Sequence, residues 1–233
     1  MAYELYYWPG LQGRGEFVRL AFEEAGVPYR DVGREPKGVD AILRGLRGGL
    51  GGTRPFGPPF LKHGKLVVAH TAHILEYLGP RLGLVPAGEP ARLAAHQHQL
   101  TITDLVAEVH DTHHPLGPSE YYENMKPEAV RRTADFLKTR MPRFLGYFDA
   151  LLAGRYVLGA RISYVDLSLF QVVEGLGYAF PRAFARYRKK IPRLIDLHDR
   201  VAARPRIKAY VASDRRVPFN EEGIFRHYPE LDR

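Results

Sequence analysis

The sequence predicts a small α/β domain followed by an all-helical one, and three observations carry that reading. Strand and helix signals alternate up to about residue 84. After Pro86-Ala87-Gly88-Glu89-Pro90 every patterned segment has helical spacing. The chain has 233 residues, enough for one large domain or two modest ones with real cores.

The elements of the first part follow in order. Tyr3-Glu4-Leu5-Tyr6-Tyr7-Trp8 is an aromatic-rich strand that ends in a Pro9-Gly10 turn. An amphipathic helix over about 14–26 carries Val18, Leu20, Ala21 and Phe22. Tyr29-Arg30-Asp31-Val32 is extended. Gly45, Gly48, Gly49, Gly51 and Gly52 then predict a poor helix or a mobile loop, because glycine is costly in a helix. Phe60 to Val68 holds two short apolar runs joined by His63-Gly64, a β-hairpin signature. Thr71 opens a helix with Ile74, Leu75, Tyr77 and Leu78, which completes the order βαβαββα.

In the second part Val130, Ala134, Leu137, Met141, Phe144, Phe148 and Leu151 keep three- and four-residue spacing. They predict one buried face of a long helix, kinked at Pro142. Ser163-Tyr164-Val165-Asp166 resembles a capping box with Asp in place of Glu or Gln.

Composition narrows the function classes. With 45% hydrophobic and 26% charged residues the chain reads as a soluble globular protein. No apolar run approaches the ~18 residues that span a bilayer. Met1-Ala2-Tyr3-Glu4 has no signal-peptide pattern, so the expected compartment is the cytoplasm, with no membrane partner. Zero cysteines exclude disulfides, thiolate metal sites and a cysteine nucleophile. The formal charge of +8 is spread over scattered arginines. The one dense run, Arg186-Tyr187-Arg188-Lys189-Lys190, reads as a solvated helix end, so no nucleic-acid partner is expected. A positive surface also attracts small anions.

Several motifs carry chemistry. Gly10-Leu11-Gln12-Gly13-Arg14-Gly15 lies where phosphate loops lie, but its G-x-x-G-x-G spacing fits neither the dinucleotide fingerprint nor the Walker loop, and a tight turn is favoured. His110, His113 and His114 flank Asp111, and His110 and His114 would share a helix face. Pro115 follows at once and no third ligand can be assigned, so helix-end histidines are expected rather than a metal site. Thr71 is placed either to cap its helix or to offer its hydroxyl, beside free N–H groups, to a ligand carboxylate. Pro58-Pro59-Phe60-Leu61 enters the hairpin with a bond that can be cis, beside backbone groups suited to a peptide. At the mouth of the first strand a tyrosine hydroxyl near a helix start can donate to an anion. Together these describe a receptor for a small thiol peptide.

The whole chain resembles the cytosolic glutathione S-transferase family, nearest its tyrosine-type sigma and mu classes, and has a bacterial look. The resemblance lies in Tyr3–Tyr7 with Gly13–Leu20, Pro59–Gly64, His70–Leu78 and Ser163–Ser168. It implies a thioredoxin-like domain over 1–84 that binds glutathione and an all-α domain over 91–233 that lines the electrophile pocket. It also implies glutathione as co-substrate with no other cofactor, and a homodimer. By position Tyr7 is the catalytic tyrosine, with the adjacent Tyr6 as runner-up. Leu5 and Tyr7 should share a strand face and Tyr6 the other. Thr71 falls where the family binds the γ-glutamyl carboxylate, His70 beside it where glutamine is usual, and Pro59 on the cis-proline. Pro58 and Arg14 also fall in the glutathione site. Asp104 falls near the acid that crosses a two-fold interface to the γ-glutamyl amine.

Two departures stand out. Pro58 has no N–H, so one backbone bond to the ligand cannot form. The stretch from Arg44 to Arg54 lacks the tryptophan and lysine that usually reach the glycyl carboxylate, which leaves Arg44, Arg47 and Arg54 as candidates. The expected activity is conjugation of glutathione to small hydrophobic electrophiles. The alternatives are a glutathione-dependent isomerase, peroxidase or dehalogenase on the same fold, or a non-catalytic binding protein.

Overall fold

The computed structural model describes residues 2–232. A four-stranded sheet has the order β2-β1-β3-β4. Strand β1 (Tyr3–Tyr6) runs parallel to β2 (Tyr29–Asp31) and antiparallel to β3 (Phe60–His63), which pairs with β4 (Leu66–Ala69). Helix α1 (Gly15–Ala25) joins β1 to β2, α2 (Gly38–Leu46) joins β2 to β3, and α3 (Thr71–Arg81) follows β4. This is the thioredoxin-like order expected.

The two sides of β1 face different cores. Leu5 packs with Val18, Phe22, Leu61 and Ile74 towards α1 and α3. Tyr6 packs with Val32, Ile42, Phe60 and Val67 towards α2, stacked on the Phe60 ring at 4.7 Å. Helix α1 is buried on both sides, with Glu16 and Arg19 buried among its apolar residues. Val18 and Phe22 meet the sheet, while Phe17, Leu20 and Ala21 join the core of the helical part. Gly26 ends the helix with φ 67°, and Arg206 Nη1 donates to the last carbonyls, those of Glu24 and Ala25.

The helical part begins with α4 (Glu89–Asp111) and continues with α5 (Lys126–Asp135), α6 (Met141–Leu151), α7 (Tyr164–Ala179), α8 (Pro181–Tyr187), α9 (Pro192–Ala202) and α10 (Pro205–Val211). The long helix expected around Pro142 is two helices joined by a π turn over Phe136–Arg140. Pro142 lacks an N–H, and the wider π turn just before it absorbs the defect. The predicted buried face is incomplete, because Ala134 is exposed and Val130 and Leu137 are half-buried. Helix α7 is apolar and buried along most of its length. Its capping box is formed, with Asp166 Oδ2 accepting the Ser163 N–H at 2.7 Å. The last segment returns over this bundle. Asp232 accepts from the N–H groups of Arg182 and Ala183 at the start of α8, and Phe225 lies on Gly175 of α7. No helix among the described residues is long and apolar enough to cross a membrane.

Two element expectations are corrected. Strand β1 stops at Tyr6, so Tyr7 and Trp8 leave the ladder. Thr71 is the first helical residue of α3 rather than its cap, and His70 holds the cap position with φ 74° and ψ 127°. That conformation is costly for a non-glycine residue and is held by the His70 N–H bonding Pro59 O at 3.2 Å.

Candidate active site

Tyr7 follows β1 on the Leu5 side and is 5% exposed. The glycines of the following turn make room for it. A Cβ on Gly13 would lie 2.1 Å from the Tyr7 hydroxyl, and one on Gly15 would lie 2.6 Å from its ring. Gly13 also has φ 45°. The G-x-x-G-x-G turn is therefore the seat of a tyrosine ring. The Tyr7 oxygen accepts the Arg14 backbone N–H at 2.8 Å. Among the described residues no acceptor takes its proton.

Burial pushes the Tyr7 phenol up from its usual range, against the pull of the Arg14 N–H and of the Arg14 and Arg19 charges. The phenol is thus protonated at neutral pH and able to donate. Tyr6 differs. Its hydroxyl donates to Glu4 Oε2 at 2.9 Å, and burial together with that bond pushes it to about 12.

A cavity of about 210 Å³ opens between the two parts of the chain. Arg14, Pro58, Pro59, His70 and Thr71 line it from the first part. The Pro58-Pro59 peptide bond is cis. Gln99, Ile102, Thr103 and Val106 line it from α4, and Phe17 and Phe56 complete the wall. Tyr7 does not line this cavity directly, but its hydroxyl lies one hydrogen bond away on the Arg14 amide. The Thr71 hydroxyl contacts Arg14 O at 3.4 Å and so ties α3 to the same turn. The start of α3, the Arg14 side chain and the exposed His70 make this end of the cavity suited to a carboxylate. Burial and the Arg14 charge lower the His70 imidazole below its usual range, so it is neutral near pH 7.

The structure does not bring every expected residue here. Asp104 is exposed on the outer face of α4, beside a notch lined by Thr101, Ala107, Glu108, Arg140, Phe144 and Tyr147. Leu105, Val106 and Val109 of the same helix turn into the core, while Leu93 and Leu100 are exposed. The reason is helical phase, since 105, 106 and 109 lie on the side opposite 93, 100 and 104. Arg44, Arg47 and Arg54 are all exposed away from the cavity, and Arg54 donates to Leu46 O at 2.7 Å. His110, His113 and His114 gather at the end of α4, with the His110 and His114 rings stacked 4.7 Å apart and His113 edge-on to both. His113 Nε2 bonds Ile224 O at 2.8 Å. Burial pushes His113 to about 3 and His110 to about 4. No set of three or more metal-ligating side chains converges among the described residues.

Gln99 and Thr103 are cavity residues that sequence reasoning missed. They stand one turn apart next to Ile102 and Val106, and a polar pair at i and i+4 on an apolar face was the available signal. Gln99 is buried and accepts from Ser168 Oγ at 2.8 Å.

Residues 110–214 match the family model "Glutathione S-transferase, C-terminal domain". A glutathione S-transferase of Plasmodium yoelii yoelii is 25% identical over 206 residues, covering 87% of this chain and 90% of the relative. The hematopoietic prostaglandin D synthase of Gallus gallus is 28% identical over 213 residues, covering 90% of this chain and 94% of the relative. Among solved structures, the pi-class glutathione S-transferase of Onchocerca volvulus superposes with a TM-score of 0.70 at 24% identity, over 91% of this chain and 92% of that one. That likeness covers both parts of the fold.

Proposed function

We propose that this chain, a member of the glutathione S-transferase family on the strength of these matches, joins glutathione to small hydrophobic electrophiles and uses Tyr7 to stabilise the thiolate. The observation that carries the reading is the Tyr7 hydroxyl, seated by Gly13 and Gly15, accepting the Arg14 N–H and left with its own proton to give. A free thiol has a pKa of about 8.5 and is mostly protonated at pH 7. Lowering it by about two units takes ~2.7 kcal/mol of preference for the anion. One hydrogen bond to a charged acceptor supplies ~1.5–3 kcal/mol, so a single phenol donor suffices in magnitude. The thiolate then attacks the electrophile, and the chemistry needs neither a metal nor a further cofactor.

In this reading Thr71, with the start of α3 and the Arg14 side chain, takes the γ-glutamyl carboxylate. Pro58 and Pro59 flank the cysteinyl part, and His70 stands between the two. Ile102, Val106 and Phe17 give the apolar surface for the electrophile. Tyr7 supports a reading among the tyrosine-type classes, sigma or mu, and the proposed split is 1–84 and 91–233. The relatives named above are eukaryotic and lend no support to a bacterial origin. A cytoplasmic location agrees with the absence of cysteine.

A homodimer belongs to the proposal. Phe56 is wholly exposed at the cavity rim, and Leu93, Leu100 and Asp104 are exposed on α4. A fully exposed phenylalanine next to a ligand cavity is the kind of surface a partner covers. Asp104 then serves the glutathione of the other subunit, which fits its absence from the lining of its own cavity. The test is retention on immobilised glutathione followed by a panel of electrophiles assayed with free glutathione. Retention with turnover supports the reading. Failure to be retained, with no turnover on any electrophile, rejects it.

A further inference from the structure

The turn that seats Tyr7 is held from the far side of the molecule. Gln12 is 5% exposed, and both functions of its amide are engaged. Its Nε2 donates to Val217 O at 2.6 Å, and its Oε1 accepts from Gln171 Nε2 of α7 at 2.7 Å. Gln171 Oε1 in turn accepts from Arg216 Nη2 at 3.1 Å. The Gln12 carbonyl accepts from the Glu16 N–H at 3.0 Å and from Arg19 Nη1 at 3.3 Å. Glu16 is fully buried and accepts the Tyr210 hydroxyl at 2.9 Å. The same turn is tied once more by Asn220 Nδ2, which donates to Gly10 O at 2.8 Å. Contacts from α7, α10 and the segment after it thus converge on a turn otherwise rich in glycine, and its central anchor lies two residues before Arg14.

A buried amide with every polar function paired is costly to move, because any displacement leaves a donor or acceptor without a partner. Gly13, the residue between Gln12 and Arg14, has no side chain of its own to fix the path. The position of the Arg14 amide is therefore set chiefly by Gln12 on one side and by the first turn of α1 on the other.

We propose that Gln12 is a positioning residue for Tyr7: clamped by Gln171 and the Val217 carbonyl, it sets the Arg14 N–H against the Tyr7 oxygen and couples the C-terminal segment to the strength of Tyr7 as a donor. An N–H donated to a phenol oxygen draws electron density from it and makes the hydroxyl a stronger donor to a thiolate. Relaxing the clamp lengthens that bond and weakens the donor without removing any group that the reading places against glutathione. The inference rests on the Tyr7 reading above.

Gln12→Met, Gln171→Leu and the double variant test it, each with 3-fluorotyrosine placed at position 7. The double variant removes both members of the Gln12–Gln171 bond together, so neither amide is left facing an apolar partner, and it keeps the test open if a single variant is unstable. Each single variant should move the fluorine resonance of ligand-free protein in the same direction. Each should also raise the apparent pKa of bound glutathione by roughly half a unit, a thiolate-to-thiol ratio about three-fold lower at a given pH. The double variant should go no further than the singles. An unchanged fluorine resonance and thiol titration alongside a lowered unfolding midpoint would make Gln12 a purely structural anchor and overturn the proposal. If wild-type protein forms no thiolate with glutathione, the Tyr7 reading fails, and the fluorine resonance still decides whether Gln12 controls the Tyr7 environment.

Discussion

The Arg19 guanidinium stands 5.8 Å from the centre of the Tyr7 ring and bonds Asp31 through Nε at 2.7 Å. It is fully buried, pairs also with Glu16 at 3.4 Å, and donates to the carbonyls of Leu11 and Gln12. A charge in such a place is tolerable only because two carboxylates and two carbonyls surround it. Arg19→Met leaves Glu16 and Asp31 short of a partner. We expect it to destabilise the protein by ~3–5 kcal/mol in urea unfolding, where loss of one member of a buried pair falls. A loss under about 1 kcal/mol, the scale of an exposed pair, would mean that the network is not buried in solution.

Gly13→Ala places a methyl where the Tyr7 hydroxyl now sits, at a φ that disfavours it. Activity should fall at least about ten-fold, because a small misplacement of a reacting group is enough to lose that much. Gly88→Ala, where a Cβ meets nothing within 4 Å, is the control and should be close to silent. Equal behaviour of the two variants in a steady-state assay would remove Gly13 from the seat of Tyr7.

Thr71→Ala should act on binding more than on turnover, since the residue lines the end of the cavity that the proposed function assigns to the γ-glutamyl carboxylate. The expected loss is about 1–3 kcal/mol in glutathione affinity, the worth of a hydrogen bond to a charged group. Calorimetry reads it directly, and an unchanged dissociation constant would take Thr71 out of the site.

Acid should destabilise the chain partly through His113. Burial is the main cause that pushes this imidazole down to about 3, so the folded form keeps it neutral. An unfolded histidine takes its proton near pH 6.5. The contribution is therefore complete above about 6.5 and is lost as pH falls from there towards 3. Unfolding midpoints measured at pH 7.5 and pH 5 should differ less in His113→Gln than in wild type. An identical pH dependence would assign the acid sensitivity elsewhere.

How much of this was legible in the sequence varies with the range of the interaction. Tyr7 was singled out by its match to the family position, with strand parity setting Tyr6 on the other face, and the capping box of α7 was readable from four consecutive residues. The reason for Gly13 and Gly15 was not, since the ring they accommodate comes from the preceding strand and its approach is tertiary. Gln12 and Gln171 stand 159 residues apart, and no local pattern joins them. Thr71 was misread as a cap because propensity favours threonine there, whereas the bond between the His70 N–H and Pro59 O fixes His70 in that place. Asp104 was assigned by position alone, and no local pattern showed that it lies exposed on the outer face of α4. The π turn before Pro142 left no trace in the apolar spacing, which a single extra residue per turn hardly disturbs over two turns.

The central claim is that the Tyr7 hydroxyl stabilises the thiolate of bound glutathione, and a thiolate absorbance titration of the wild type and Tyr7→Phe complexes tests it most directly. The account predicts that the wild-type complex titrates about two units below a free thiol, and that Tyr7→Phe returns it to about 8.5 with glutathione affinity nearly intact. Tyr6→Phe should titrate like wild type, because the Tyr6 hydroxyl is spent on Glu4 on the other side of the strand. A Tyr7→Phe complex that still forms thiolate at the wild-type pH would contradict the account.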